Sequence, residues 1–417
     1  MTTLGDQQLV KRINRSVLLR LLRAKPGLSR ARLAAESGLT KSTVSLLVRE
    51  LLEDGWLHEA DAAVADGLGR PSIPLQIHAG VRALIGVEIA VETLRVVCVS
   101  LLGELLHCEA RPLREHAPRA VCRQVAGMVA AAHRHLLAAG LRASGIGVGV
   151  PGAVDDATGL VRFAPNLDWR QVSLLPGLVE ALAHEGIADV PVQLQNDADA
   201  AALGEYEFAG GEGEDPLVFV SCDVGVGAGV VLNDRLFTGA HGMAGEIGHT
   251  ILQVDGPLCS CGRRGCAEAF LGSRVLGSSA DAAPRGAAFL GVLLQNLWVT
   301  FEPRAIVVGG HSCQAHPQLL CGAIEVVRRY AESAGMQAPV VRGARHGEWA
   351  PAVGAAALAL HEYLRPLRPL APIRHGVHRA PPAPACRHSR HSAAPPRSRR
   401  TAAVSYTHLT LPTIYSV

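Results

Sequence analysis

Hydrophobic positions in the first 80 residues recur at helical spacing in three short segments. The first, residues 12–24, stops before a Pro-Gly pair. Ser29 is a suitable N-cap for a second short helix, and Thr40 for a third that spans residues 41–54. A tight glycine turn at residues 36–39 separates these two helices. A short helix, a glycine turn and a helix with a polar first turn are typical of a helix-turn-helix.

The third predicted helix and the segment after it carry residues suited to DNA. They offer short hydrogen-bond donors and cations to base edges and phosphates in a major groove: Lys41, Ser42, Thr43, Ser45 and Arg49. Residues 55–58 and 72–77 are predicted as the strands of a wing. Arg70 lies between them on a Gly-Arg-Pro loop tip, where it can enter a minor groove. The alternatives are an ordinary helical domain with a solvated polar face, and a surface turn with an incidental charge.

Beyond residue 82 the pattern changes to alternating strands and helices. Residues 83–100 predict two strands around a turn, and residues 101–106 continue as a hairpin. A helix is predicted at 121–139 and a buried strand at 144–152, which runs into a Gly/Pro turn. The alternation continues to about Leu364. It predicts an α/β body of two lobes, each with the order β-β-β-α-β-α.

Composition and charge divide the chain into three regions. The 417 residues are 48% hydrophobic, enough for two or three domains, yet no uncharged apolar run reaches 18 residues, which excludes a membrane span. Aromatic residues make up 4%, which argues against stacking on single-stranded nucleic acid. Residues 1–80 hold 11 basic and 8 acidic side chains, residues 81–364 hold 20 and 29, and residues 365–417 hold 9 and none. The basic head suits DNA, and the acidic body does not.

The two ends of the chain carry further expectations. Residues 1–5 lack the pattern of a secretory signal, so we expect a cytoplasmic protein whose ten cysteines form no disulfide framework. The tail, residues 365–417, is rich in Pro, Arg and His and is predicted to be disordered. Residues 405–413 resemble translated adapter sequence from a sequencing library, so the native protein is expected to end near Leu364. The alternative is a basic arm that adds non-specific DNA affinity.

One group of cysteines has the spacing of a metal site. His249 is followed by Cys259, Cys261 and Cys266, which places one imidazole and three thiols within 18 residues. A Cys3His set fits tetrahedral Zn²⁺, and neighbouring glycines permit the tight turns that bring the ligands together. Because all four positions are filled, the zinc would be structural rather than catalytic. The alternative is a set of buried free cysteines.

The order of these motifs from Ile85 to Leu364 resembles the ROK family (repressors, open reading frames and sugar kinases). The winged helix-turn-helix in front, with Arg70 in its wing, is similar to the xylose-repressor and N-acetylglucosamine-repressor branch. The resemblance covers residues 12–364. It implies that the body has the actin-like, hexokinase-like ATPase fold, and that the Cys3His set is a zinc site whose loop positions sugar-contacting residues.

Carboxylates and amides cluster around these motifs, and their planar groups bind sugar hydroxyls in bidentate fashion. The candidates are Asn166, Asn196, Asp197, Glu246, His249 and Glu268. The resemblance makes Asn196 a sugar-binding amide and Asp197 the sugar-binding carboxylate, which is the general base in the family's kinases. His249 would serve both zinc and sugar. An Asn-Asp pair alone is more often a helix cap, but the neighbouring candidate carboxylates favour sugar contact here.

The phosphate-binding segments distinguish a kinase from a regulator. ROK kinases carry a motif resembling Asp-x-Gly-Gly-Thr after the first strand, whereas residues 88–92 here contain no glycine and end in Glu92. The second loop resembles Gly-Thr-Gly-x-Gly in kinases, but here Asp223 adds negative charge and Val224 replaces the hydroxyl. Three glycines of this second loop survive, and residues 307–310 resemble the nucleotide-side glycine turn. Like charge and missing donors both oppose ATP binding.

The sequence therefore predicts a sugar-responsive repressor of carbohydrate genes and no enzyme. A sugar or sugar phosphate would close the two lobes and change the spacing of paired heads on double-stranded operator DNA, as a homodimer or homotetramer. One alternative is a sugar kinase that phosphorylates a hexose with ATP and has gained a DNA-binding head. The other is a DNA-binding protein whose sugar lobe is only a dimer scaffold.

The stretch that follows Glu268 is shorter than the resemblance implies. Family members usually carry further helices of the second lobe here, whereas residues 270–286 lead at once to a helix predicted at 287–300. A true shortening and a defect in the sequence are both open at this stage. Either concerns the packing between the lobes more than the sugar motifs.

Overall fold

The head of the chain folds into three helices and a two-stranded wing. The computed structural model describes residues 7–61, 73–209, 214–277 and 282–365. Its first elements are α1 (Gln7–Ala24), α2 (Arg30–Ser37), α3 (Lys41–Glu53), β1 (Leu57–Glu59) and β2 (Leu75–Ile77), with the two strands antiparallel. This order confirms the predicted winged helix-turn-helix. Arg70 and the predicted tail beyond residue 365 lie outside the described residues.

The boundaries of the two short helices follow from their caps. The Ser29 hydroxyl accepts a hydrogen bond from the Arg32 backbone N–H at 3.4 Å, and the Thr40 hydroxyl accepts one from the Thr43 N–H at 3.2 Å. Each cap satisfies an N–H that has no partner within the helix. Gly38 ends α2 with a φ of 71°, a left-handed conformation that costs glycine little. Sequence alone therefore located both helix starts.

The first lobe contains a mixed five-stranded sheet. Its elements in chain order are β3 (Arg82–Ile89), β4 (Thr93–Ser100), β5 (Leu105–Pro112), α4 (Pro118–Ala138), β6 (Arg142–Val150), β7 (Ala153–Asp155), β8 (Leu160–Ala164), β9 (Trp169–Ser173), α5 (Leu174–His184), β10 (Val192–Asn196) and α6 (Asp197–Glu207). The strand order is β10-β6-β3-β4-β5, antiparallel from β3 to β5 and parallel from β3 to β10. Strands β7 to β9 form a small separate sheet between β6 and α5.

The second lobe repeats this arrangement in a shorter form. Its elements are β11 (Leu217–Cys222), β12 (Val226–Val231), α7 (Glu268–Leu271), α8 (Ser273–Leu276), α9 (Ala282–Phe301), β13 (Ala305–Gly309), α10 (His311–Ala315), α11 (Pro317–Ser333), β14 (Val340–Gly343) and α12 (Ala350–Leu364). The strand order is β12-β11-β13-β14, with β11 antiparallel to β12 and parallel to β13. Within the described residues, a third antiparallel strand is reduced to the bridge between Val231 and Leu236.

Helix α9 begins earlier than the sequence indicated. The prediction started at residue 287, whereas the helix starts at Ala282 with Pro284 in its first turn. Proline is tolerated there because its missing N–H has no partner in the first turn. Leu271 and Leu276 from the two preceding short helices join the same hydrophobic cluster as Leu290. The core of the second lobe is thus closed despite the short stretch after Glu268.

Helices α6 and α12 cross tightly between the two sheets. A Cβ placed on Gly204 of α6 would lie 2.7 Å from the Gly354 Cα, and one on Gly354 would lie 2.0 Å from the Ala200 carbonyl oxygen. Only glycine allows backbones this close. Helix α6 contacts β6 and β10 of the first sheet and β11 and β12 of the second, so one helix touches both lobes.

The helix-turn-helix head shares a hydrophobic core with the first lobe. Leu18 and Leu22 of α1 belong to the same buried cluster as Val353 and Leu360 of α12. At the rim of this contact the Trp56 and Tyr363 rings lie 4.8 Å apart, centroid to centroid. The head therefore packs directly against the last helix of the body.

No helix in the described part of the chain is long and apolar enough to cross a membrane. The two longest helices of the body are α4, with 21 residues, and α9, with 20. Both bury one face in the hydrophobic core of their lobe and expose the other, as helices of a layered α/β fold do.

Candidate functional site

The four residues of the predicted metal site meet in space. One ligand atom from each of His249, Cys259, Cys261 and Cys266 lies within 4.8 Å of all the others. The Cys261 and Cys266 sulfur atoms are 3.7 Å apart, and the Cys259 Sγ is 3.7 Å from the His249 Nδ1. A tetrahedral site with Zn–S bonds of about 2.3 Å has edges of about 3.8 Å. The cluster could therefore hold a metal ion of this type.

The local chain is built for this cluster. Gly265 has a φ of 72°, and a Cβ there would lie 1.6 Å from the Gln253 carbonyl oxygen. Bridges pair Ile251 with Cys266 and Leu258 with Arg264, which folds the segment back on itself. A hydrogen bond from the Arg263 backbone N–H lowers the pKa of Cys261 to about 6. Burial raises the pKa of Cys266 to about 12, so Cys261 ionises more readily than Cys266.

The sugar candidates Asn196 and Asp197 lie where β10 ends and α6 begins. The Asn196 Oδ1 caps the helix by accepting from the backbone N–H groups of Ala198 and Asp199, at 2.9 and 3.1 Å. Its Nδ2 donates to the Gly152 carbonyl oxygen at 3.0 Å. The Asn196 side chain thus uses its amide to cap α6 and to hold the turn at Gly152. Asp197 is partly exposed, and burial raises its pKa to about 6.

Glu246, His249 and Glu268 gather beside these residues. A Cβ on Gly245 would lie 2.0 Å from the Ala228 carbonyl oxygen, so the segment before Glu246 presses against β12. The Glu268 Oε1 accepts from the Ser260 hydroxyl at 2.7 Å, next to the Cys259 Sγ at 3.7 Å. The charge of Glu246 acts on Asp197. The metal cluster and the carboxylates therefore form one continuous region.

Asn166 is placed differently from the other sugar candidates. It lies on an exposed 3-10 turn after β8. Two residues earlier, Ala164 lies against Gly152, where a Cβ would come within 2.9 Å of the Ala164 Cα. Because Asn196 binds the Gly152 carbonyl, Asn166 is linked to the region only through this turn.

Where the sequence placed the phosphates of a nucleotide, charged side chains of the protein pair with one another. Glu88 at the end of β3 is 4% exposed and accepts from the Arg95 guanidinium at 3.0 Å. Arg95 also reaches Glu348 at 3.4 Å. Burial raises the pKa of Glu88 to about 8, although Arg95 opposes the shift. Glu92, which the sequence placed toward the phosphates, is exposed.

Asp223 takes the position of an anion at the nucleotide-side turn. Its carboxylate accepts from the His311 backbone N–H just after Gly310, and burial raises the Asp223 pKa. Gly310 has a φ of 94°, and a Cβ there would lie 2.3 Å from the Cys222 carbonyl oxygen. A carboxylate therefore lies near the His311 N–H, at the turn that the sequence assigned to the nucleotide side.

The proposed DNA-reading residues lie mainly on one exposed face of α3. Lys41, Ser42, Ser45 and Arg49 are exposed. Thr43 is half-buried, and its hydroxyl lies 2.8 Å from that of Thr40, so it takes part in the cap. A shallow groove of about 420 Å³ runs along this face, lined by Arg30, Ser42, Ser45, Leu46, Arg49, Leu52 and Glu53.

Sequence reasoning missed three residues that the fold brings into these regions. Arg30 joins the α3 groove, and its position directly after the Ser29 cap was the available signal. Arg23 at the end of α1 contacts the backbone carbonyl of Glu207, which no pattern indicated. Asp199, on the first turn of α6, is buried beside Asp197. Its place two residues after Asp197 was visible, but its burial was not.

Two family models match the chain. Residues 12–57 match a winged helix-turn-helix DNA-binding model, and residues 84–287 match the ROK family. This chain belongs to the ROK family. The helix-turn-helix in front of the ROK body makes it a ROK transcriptional regulator, similar to xylose repressors and to the regulator NagC of Escherichia coli.

The relatives of this ROK regulator include both repressors and kinases. The xylose repressor of Bacillus subtilis is 28% identical over 87% of this chain and 98% of its own length. A ROK transcriptional regulator described as a homologue of the E. coli MLC protein has the same fold, with a TM-score of 0.69, 23% identity, and coverage of 85% of this chain and 98% of its own. A ROK glucokinase from Streptomyces griseus, solved with glucose and AMPPNP, has a TM-score of 0.58 and 27% identity over 67% of this chain and 99% of its own.

Proposed function

We propose that this ROK regulator is a sugar-responsive repressor of carbohydrate genes. It binds double-stranded operator DNA through Lys41, Ser42, Thr43, Ser45, Arg49 and Arg70, and sugar through Asn166, Asn196, Asp197, Glu246, His249 and Glu268. Because helix-turn-helix proteins read paired half-sites, it acts as a homodimer or homotetramer. Xylose is the first candidate effector, because relatives along most of the chain are xylose repressors.

One observation carries this proposal: α6 begins among the candidate sugar residues and ends where the body contacts the head. The helix starts at Asp197, is 11 residues long and ends at Glu207. There the Arg23 guanidinium of α1 donates to the Glu207 backbone carbonyl. The Glu207 carboxylate, 4% exposed at its side chain, is held by the His361 Nδ1 at 2.6 Å and by Arg365 at 3.0 Å. A shift of α6 at its first turn therefore reaches the DNA-binding head.

The second lobe joins the same contact through Asp234. This residue accepts hydrogen bonds from Arg20 of α1 at 3.3 Å and from Arg365 at 3.0 Å, and the Tyr206 hydroxyl of α6 also donates to it. Closure of the lobes around a sugar would move Asp234 relative to α6. A pair as exposed as Arg20–Asp234 contributes about 0–1 kcal/mol, so a coupling of about 1–3 kcal/mol requires several of these contacts to change together.

Zn²⁺ fits the Cys3His cluster in a structural role. His249 and the three cysteines would hold it, and the bound ion would fix the loop that carries Glu246 and leads into Glu268. The His249 Nδ1 faces the Cys259 sulfur, which leaves its other ring nitrogen for a sugar hydroxyl. The metal thus organises sugar contacts and takes no part in chemistry.

A sugar kinase is the second candidate, favoured by the related glucokinases and by Asp197. We do not assign that activity. Phosphoryl transfer depends on donors and cations that surround the transferred phosphate. In this chain Glu88 holds Arg95, and Asp223 holds the His311 N–H.

The test is fluorescence anisotropy on DNA from upstream of the protein's own gene, at fixed salt, with and without a panel of sugars. We expect one sugar to change DNA affinity by about 5-fold or more, the scale of allosteric coupling. Asp197→Asn should keep DNA binding and lose the response. Arg23→Met should still bind the sugar, as a thermal shift, but respond less.

The matched control is Arg12→Met, because Arg12 is an exposed arginine of α1 whose pair with Glu362 is 3.5 Å long. It should keep the full sugar response. DNA affinity that no sugar alters would contradict the proposal and favour a sugar lobe that is only a scaffold. Sugar-dependent ATP turnover that Asp197→Asn abolishes would favour the kinase.

A further inference from the structure

Helix α3 carries a large apolar side chain on its polar face. Leu47 and Leu51 are buried in the hydrophobic core that the head shares with the first lobe, and they form the apolar face of the helix. Leu46 lies on the opposite side and is 45% exposed. It follows Ser42 by four residues and precedes Arg49 by three, the spacings that place side chains together on one helix face. Core packing therefore does not account for Leu46.

Leu46 lines the shallow groove of α3 among hydrogen-bonding and cationic side chains. Ser42, Ser45 and Arg49 line the same groove, and Arg30 of α2 contributes a second guanidinium group. An isolated exposed leucine is common on protein surfaces and needs no explanation. This leucine, however, lies in the middle of the donors that the head would present to DNA. The groove thus combines one apolar contact with several polar ones.

The charges along α3 favour one half of the helix for contact with DNA. Lys41 is exposed at the first position, where a helix N-terminus also attracts phosphate, whereas Glu53 is exposed at the last position and repels it. This polarity favours entry of the N-terminal half into a major groove, as in other helix-turn-helix proteins. Leu46 follows Lys41 by about 7.5 Å along the helix axis, which is less than the width of a major groove, about 12 Å.

We propose that Leu46 recognises a thymine in each operator half-site through the C5-methyl group of the base. This inference rests on the proposed function and names a contact that decides which DNA the head prefers. The thymine methyl is the apolar group that base edges present in the major groove. Contact between this methyl and Leu46 removes apolar surface of both from water. A cytosine at the same position would instead place its amino group against the leucine, so Leu46 selects thymine.

The experiment uses DNA duplexes that the full-length protein selects from a random pool. Each thymine of the selected half-site is replaced in turn by deoxyuridine, which keeps base pairing and removes only the methyl group. Binding is measured by fluorescence anisotropy at fixed salt. We expect a position at which this change weakens binding by about 4-fold, the size expected for one buried methyl group.

Leu46→Ala tests the residue itself. Because Leu46 is exposed and alanine is a good helix former, the variant should keep the unfolding temperature of the wild type. It should bind the thymine duplex about 4-fold more weakly and no longer distinguish thymine from deoxyuridine at that position, because the two changes remove the same contact. The matched control is Val10→Ala, which shortens a 49% exposed side chain of α1 outside the groove. It should keep both the affinity and the discrimination.

The outcomes separate this inference from the proposed function. Specific binding that tolerates deoxyuridine at every position would overturn the inference and leave the repressor in place. An equal deoxyuridine effect in Leu46→Ala and the wild type would assign the methyl contact to another residue and overturn it as well. A change of oligomeric state in Leu46→Ala, measured by sedimentation, would make Leu46 a contact between two copies instead. Failure of the protein to enrich any sequence would overturn both the inference and the proposed function.

Discussion

The two ends of the interlobe cleft use their buried carboxylates in opposite ways. At the sugar end, the Asp199 Oδ1 has no donor among the described residues. At the phosphate end, Glu88 is paired with Arg95 at 3.0 Å, and Asp223 accepts the His311 backbone N–H. The first end gains from a ligand that brings donors, whereas the second is already satisfied. The two ends of the cleft thus differ in whether their buried carboxylates already have partners.

Removal of a metal ligand is expected to have the largest effect, and it tests the sugar end of the cleft. Cys261→Ser removes one of four ligands from the sugar end. We expect the variant to retain less metal and to lose about 3 kcal/mol or more of stability in its second lobe, because metal binding supplies folding free energy. Metal analysis of the purified protein and thermal unfolding measure both.

The control for this variant is Cys108→Ser, an exposed cysteine outside the cluster. It should match the wild type in metal content and in unfolding temperature. Equal metal content in Cys261→Ser and the wild type would show that the cluster is not a metal site. The alternative of free cysteines would then stand.

Glu88→Gln probes the phosphate end and has an intermediate effect. Because the pKa of Glu88 is raised from 4.5 to about 8, the folded state holds a proton that the unfolded state releases. That contribution to stability is complete below pH 4.5 and is lost as pH rises through about 8. The variant lacks this loss, so its stability relative to the wild type should rise by up to about 1.4 kcal/mol per pH unit in that window.

Unfolding temperatures from pH 5 to 9 test this slope, with Glu92→Gln at an exposed neighbouring position as the matched control. A constant difference between Glu88→Gln and the wild type would mean that Arg95 keeps Glu88 ionised throughout. The phosphate end would then be a permanent ion pair.

Nucleotide binding is the smallest expected effect. We expect MgATP to leave the unfolding temperature unchanged under conditions where the effector sugar raises it, because the donors on the phosphate side are already paired. The sugar provides the positive control in the same assay. A thermal shift from MgATP of the same size as that from the sugar would remove the contrast between the two ends.

The helices and the turn of the head could be predicted from local sequence. Ser29, Gly38 and Thr40 each act on their own helix, within a few residues of chain, so helix starts and the turn could be read directly. The start of α9 was predicted at residue 287, five residues late; the helix begins at Ala282 and holds Pro284 in its first turn, where proline is tolerated.

Less of the candidate site could be predicted from the sequence than of the head. The metal cluster lies within 18 residues, so its spacing carried most of the information. Arg23 and Glu207 lie 184 positions apart, and no local pattern connects them. Asp199 was in view beside Asp197, but its missing donor depends on Gln195 having taken the Asn196 N–H. That competition appears only when the side chains are placed.

By itself the sequence determined the order of the modules, the helix caps, the metal-ligand spacing and the departure from the kinase phosphate loops. These depend on neighbours along the chain, where backbone geometry limits the choices. The tertiary structure decided that α6 connects the sugar region to the head, that Arg95 and the His311 N–H satisfy the phosphate side, and that Asp199 is left without a donor. These depend on burial and on competition for hydrogen bonds between distant residues, because a buried polar group is stable only when a partner reaches it.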